Sequence, residues 1–312
     1  SPVSVFLKIR DQFPNSILLE SSDYHANDNS FSYICCKPIA SIKVDANKIT
    51  KTYPDHTTEI KTVASNEVTI EIDAFTKQFE TQNKKAFKFI NNGMFGFTAY
   101  DAVKYFEDST ISKKEDSIQI PDMYYAVDQN IIAINHFKNE AYIFAHCYES
   151  ENNIDTIDHL IKMQSFSSYD FKSKGEISSN LTDEDFKSNV DLAKKHCNRG
   201  DVFQLVLSKR FQQDFKGDDF NVYRALRSIN PSPFLFYFDY GKFKIFGSSP
   251  EAQLVVENQN AEIHPIAGTF ARTGDDLKDA ELAKKLVADK KENRCLLYTS
   301  PSPIDTVLSR MR

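Results

Sequence analysis

The chain has 312 residues, with 38 Lys+Arg against 44 Asp+Glu and a formal charge of −6. At 41% hydrophobic and 12% aromatic residues it can bury one large core or two medium ones. The modest acidity argues against nonspecific binding to nucleic acid or to an anionic membrane, and no apolar run is long enough to span a bilayer.

Alternation and turn residues predict a mostly β first half. The expected strands are 16–20 (SILLE), 31–36, 68–72 (VTIEI), 94–100, 126–136 and 141–148. The last two are joined by the turn-prone FKNE as a hairpin, and 72–87 reads as a helix between strands. The polar, Ser-rich span 149–180 reads as a linker. Thr182 and Asp185 then set up a weak capping box ahead of an apolar stripe at Phe186, Val190, Ala193 and Cys197, with Gly200 as the stop. A strand is expected over 202–211, with Phe203, Leu205 and Leu207 on its core face and Gln204 on the other. A helix follows over about 219–229, then a hairpin turning near Tyr240 and Gly241, a further strand pair, and a helix over about 276–292. The mixture is α+β, with mainly antiparallel sheets packed as a sandwich with flanking helices.

The five cysteines include no C-x-x-C and form neither a disulfide framework nor a zinc pattern. The first residues lack a signal peptide's apolar core, so a reduced, cytoplasmic protein is expected. The start at Ser1 rather than Met points to a fragment or a processed end.

Individual residues offer chemistry weakly. Glu251, after Pro250 at a strand boundary, is either a general acid raised by partial desolvation or a Glu at an ordinary turn. Gly268 and Thr269 either present an N–H and a hydroxyl to an anion or form a plain turn. Gln204 either holds a small neutral nucleophile or sits half exposed at a sheet edge. No P-loop, dinucleotide fingerprint or Ser-His-Asp arrangement is present.

Taken in order, LLES (18–21), GDVFQLVLSKRF (200–211), NPSPFLFYF (230–238), FGSSPE (246–251), PIAGT (265–269) and KEN (291–293) carry a specific resemblance. The chain resembles the large subunit of anthranilate synthase, a chorismate-using enzyme of tryptophan biosynthesis, from about Val3 to Asn293. The resemblance implies the chorismate-utilising enzyme fold, here incomplete. It implies a regulatory N-terminal domain over 1–165, a catalytic domain over 179–293, and a tail over 294–312 that does not continue the family. Isochorismate-type relatives carry a lysine where Gln204 stands, and aminodeoxychorismate synthases carry one where Ala267 stands. With neither amine present, ammonia is expected to attack chorismate directly, which favours anthranilate synthase; the alternatives are an aminodeoxychorismate synthase or other chorismate-utilising enzyme, and a non-catalytic tryptophan-binding fragment.

The same resemblance makes Glu251 the acid for the departing hydroxyl, assigns Gly268 and Thr269 to chorismate, and implies Mg²⁺ and a glutamine amidotransferase subunit as ammonia source. It places Leu19, Glu20, Ser21, Pro233, Phe234 and Leu235 around feedback-inhibiting tryptophan. Glu292 falls on a metal-ligand position, but the partner position holds Cys295. The residues after Asn293 read as a frameshift or as translated vector or adapter sequence. The polypeptide as written is therefore expected to be inactive, with unpaired edges and apolar faces around 234–266.

Overall fold

The computed structural model describes residues 1–21, 30–81, 87–107, 118–149, 152–202, 204–257, 260–266, 269–290 and 293. In chain order its elements are α1 (Pro2–Ile9), β1 (Ile17–Ser21), β2 (Phe31–Asp45), β3 (Lys48–Thr52), β4 (Thr58–Thr62), α2 (Val68–Thr76), β5 (Met94–Thr98), β6 (Met123–Asn135), β7 (Glu140–Ala145) and α3 (Ile154–Lys162). There follow β8 (Phe171–Ser179), α4 (Asp183–Arg199), β9 (Phe211–Gly217), α5 (Phe220–Ile229), β10 (Phe234–Asp239), β11 (Lys244–Ser249), β12 (Val255–Glu257), β13 (Asn260–Glu262) and α6 (Asp276–Ala288). They fall into two compact units: 1–169 with 220–249, and 170–219 with 250–312.

In the first unit, nine of the described strands form one antiparallel sheet, ordered β11-β10-β1-β2-β3-β4, with β6 pairing β2, β5 and β7. The long β2–β6 pair runs through its middle and shifts register between Pro38 and Ala40, a bulge that bends the pair. One core packs Phe6, Leu7 and Ile9 of α1, Ile157 of α3 and Phe220 and Tyr223 of α5 onto Leu18, Ile34, Cys36, Ile132, Leu235 and Tyr237. A second packs Val68 and Phe75 of α2 against Ile42, Val44, Ile49 and Met123. A third joins Ile17, Cys35, Phe95, Ile131 and Phe238. Gly96 of β5 is obligatory at its position: a Cβ there would run into the backbone oxygen of Tyr124 on β6. Gly96→Ala should cost about 2 kcal/mol by forcing the two strands apart, read as a lower urea midpoint.

The second unit holds two ribbons, β8–β9 and β12–β13, with α4 and α6. None of its described residues is buried. Among all described residues, no helix is long and apolar enough to cross a membrane.

Four expectations are corrected. VTIEI (68–72) is helix, not strand: Val68, Ile72 and Phe75 recur at helical spacing and pack into the second core, while Ile70 is left 64% exposed. The helix expected to run on to 87 ends at Thr76. The 149–180 linker contains α3, whose Ile157 and Leu160 are buried, and β8; among its described residues the longest irregular run is 163–170. Residues 204–210 are not strand, because β8 pairs with β9 from Phe211 onward. Leu205 and Leu207 are 44% and 38% exposed instead of core, and Phe203 lies outside the described residues.

Other features agree with their local signals. Asp185 N donates to Thr182 Oγ1 at 3.1 Å, and Gly200 closes α4 at φ +81°, although no residue of that helix is buried. The hairpin expected near Tyr240 and Gly241 forms as β10 and β11, with β10 between β1 and β11 and β11 at the end of the strand order. Exposed apolar residues do mark the stretch beyond it, at Leu254, Val255, Val256, Ile263 and Ile266.

Candidate functional site

The LLES and NPSPFLF segments are more than 200 residues apart, yet they meet as β1 and β10. Their register sets Leu19 opposite Phe236, Glu20 opposite Leu235 and Ser21 opposite Phe234. The turn leading into β10 is pinned locally. Ser248 Oγ donates to Asn230 O at 2.6 Å and accepts from Ser232 N at 3.3 Å.

Strand alternation then divides the six residues expected around one ligand. Leu19 packs with Tyr33 and Phe236 in the third core, and Ser21 and the 45%-exposed Phe234 lie on that same face. Pro233 is exposed just before it. Glu20 and Leu235 point the other way, toward α5. Glu20 Oε1 accepts from Tyr223 OH at 2.6 Å, and Arg227 Nε donates to Oε1 and Oε2 at 3.0 and 3.1 Å. The Glu20 side chain is 1% exposed, so this double pairing is what makes a carboxylate tolerable there.

Two groups with no sequence signal complete this end of the sheet. Ser21 N donates to Ser32 Oγ at 3.3 Å, and Ser32 Oγ lies 2.6 Å from His136 Nε2. Burial, and then the Arg227 charge, hold the His136 ring below its ordinary pKa, so the neutral ring can accept the Ser32 hydroxyl. Tyr223 and Arg227, four apart on α5, carried no signal either, because their partner lies near the other end of the chain.

A cavity of about 610 Å³ opens elsewhere in the first unit, lined among others by Phe79, Phe87, Asn91, Phe144, His146 and Tyr148. None of the residues singled out from the sequence lines it.

In the second unit Gln204, Glu251 and Thr269 are all exposed. Glu251 is thus not in the partly desolvated setting expected of it: it is exposed, and none of residues 250–254 is buried. Gln204 is not on a strand, for the ladder reason given above. Ala267, Gly268, Glu292 and Cys295 lie outside the described residues. Among the described ones, no three His, Cys, Asp or Glu side chains converge as a metal site, so the described residues offer no donor set for Mg²⁺.

Comparison with known proteins adds to this geometry. The family model for chorismate binding enzymes matches residues 16–297. Anthranilate synthase component 1 of Acetivibrio thermocellus is 30% identical over 94% of this chain and 62% of its own length. Its counterpart from Aquifex aeolicus (strain VF5) is 31% identical over 94% and 61%. The crystal structure of anthranilate synthase component I from Streptococcus pneumoniae TIGR4 superposes with a TM-score of 0.64 at 24% identity, over 86% of this chain and 59% of that one, a likeness of fold. The chain thus spans about three fifths of the length of the relatives it matches.

Proposed function

From the premise that this chain belongs to the family of chorismate binding enzymes, we propose that it is the N-terminal and central part of an anthranilate synthase large subunit. The observation that carries this reading is a family match across 16–297 in a chain with Gln204 and Ala267, neither of which is an amine. With no lysine at either position, free ammonia is the attacking species. It adds to the chorismate ring as the ring hydroxyl departs, and loss of pyruvate then gives anthranilate. Hydroxide is a poor leaving group near neutral pH, and Glu251 is the acid that protonates it. Thr269 and the Gly268 backbone hold the substrate. Catalysis in this reading would be metal-dependent, with Glu292 the one residue of this sequence expected to help hold a Mg²⁺ that would supply a Lewis acid. The name component 1 of the relatives supports a second component, a glutamine amidotransferase that supplies ammonia, and a cytoplasmic setting suits such a pair.

The first unit is the regulatory part. Tryptophan would lie against Leu19, Ser21 and Phe234, with Pro233 at the rim, while Glu20 and Leu235 shape the pocket from behind. Binding that favours one arrangement of the β1–β10 pair would then lower activity elsewhere.

A second reading has its own support: every buried side chain among the described residues belongs to the first unit. On that ground this polypeptide by itself binds tryptophan without turning chorismate over. Calorimetry should give saturable binding of tryptophan and none of chorismate, and chorismate with magnesium and ammonia should yield no anthranilate fluorescence. Turnover would overturn the inactive-fragment reading. Isochorismate or para-aminobenzoate from a polypeptide extended to its relatives' length would overturn the ammonia reading.

A further inference from the structure

The middle of β6 contains an anomaly that the proposed function does not use. Asp128 is 1% exposed and Asn130 fully buried, two residues apart on one face of the strand. Both carboxylate oxygens of Asp128 lack a hydrogen-bond partner in the protein, and the Asn130 amide has nothing beyond a weak contact with the Cys36 thiol. Buried polar groups are nearly always paired, and a buried carboxylate without a countercharge is the most unfavourable kind to leave alone.

Among the described residues, no cation acts on Asp128. Across the β2–β6 pair, Asn130 sits opposite Cys36 and Asp128 opposite Pro38, beside the bulge. The groups that feel Asp128 are the Cys35 and Cys36 thiols and the Tyr240 hydroxyl, all neutral acids that its charge pushes up further. Lys37 on β2 acts on Cys36, but burial alone sets the Asp128 shift. On β7, Asn130 faces Ala145, and the next residue, His146, turns its ring to the backbone oxygen of Asn91 at 2.7 Å. Strand β5 begins opposite Val127, with Met94.

We propose that Asp128 and Asn130 form a buried proton-binding site, occupied when the first unit is closed and emptied as its central sheet loosens. A protonated carboxyl has an O–H that the Asn130 carbonyl two residues on can accept. Loss of the proton leaves a charge that, among the described residues, faces only neutral thiol, hydroxyl and amide groups. Burial pushes the Asp128 carboxyl up to about 7, so the exchange falls in the neutral range. Because the folded value is raised, the stability it contributes is fully present below the unfolded value of 3.8 and is lost as pH rises through about 7. The loosened strand pair includes Tyr33 and Ser32, which neighbour the β1 segment, so ligand binding there would weaken in the same direction.

Two measurements test this, and neither depends on the tryptophan reading. Thermal unfolding at constant ionic strength should show the wild type losing roughly 5 °C between about pH 5.5 and 8.5. Asp128→Asn should remove that slope and melt higher than wild type at the alkaline end; equal slopes in the two proteins would overturn the proposal. Infrared difference spectra of the wild type alone cover the case in which the variant fails to fold. At about pH 6 ordinary carboxyls are ionised, so one protonated-carboxyl C=O band should remain and disappear above about pH 8. Its absence at the lower pH sinks the idea.

Discussion

Replacing Phe220 with alanine should destabilise the first unit by about 4 kcal/mol, enough to shift its thermal midpoint by more than 8 °C. The ring is fully buried at the start of α5 and is the hub of an aromatic cluster. It lies 4.9 Å from Phe6, 4.9 Å from Tyr237 in an edge-on contact, and 5.3 Å from Tyr223. The guanidinium carbon of Arg10 sits 5.1 Å from its centre. Those contacts come from α1, β10 and α5, so no single neighbour can relax into the space. The result also bears on how the chain is organised. If 220–249 folds with 1–169, unfolding should stay a single transition that moves as a whole. A loss under about 1 kcal/mol, or a separate transition that leaves the rest of the first unit unmoved, would show that α5 docks only loosely.

That cluster illustrates what the sequence could and could not disclose. The β1 strand, the 234–249 hairpin, the Thr182 cap and the Gly200 stop were all legible, because each depends on residues a few positions apart. The hairpin's place in the first unit's sheet was not, since its partner strand β1 lies near the start of the chain. VTIEI misled because Val68, Ile70 and Ile72 alternate like a strand, and only Phe75, beyond that window, reveals the helical period. The 202–211 stretch misled for the opposite reason: its alternation is real, but a strand needs a ladder partner, and β8 offers one only from Phe211. At the site, motif order identified Glu20 and Ser21 together, whereas side-chain direction separates them. Tyr223, Arg227, Ser32 and His136 had no motif to announce them. Their roles arise from pairings across more than 100 residues, which local pattern does not encode.

Arg227→Met should cost about 3 kcal/mol, although Arg227 itself is only partly buried. The loss arises at the other end of the pair. Glu20, at 1% side-chain exposure, would keep the Tyr223 hydroxyl but lose the guanidinium donor that now serves both of its oxygens. The reverse change, Glu20→Leu, should be milder, because Arg227 can turn its charge toward water. Combining the two should recover most of the loss, since an apolar pair avoids burying any charge. This series also decides what Glu20 does for a ligand. If it is scaffold behind the pocket, the recovered double variant should bind tryptophan within about threefold of wild type. Ser21→Leu, on the open face beside Phe234, should abolish binding while leaving the urea midpoint nearly unchanged. Loss of binding in the stable double variant would put the Glu20 carboxylate in contact with the ligand, and the division of the two strand faces argued above would then be wrong.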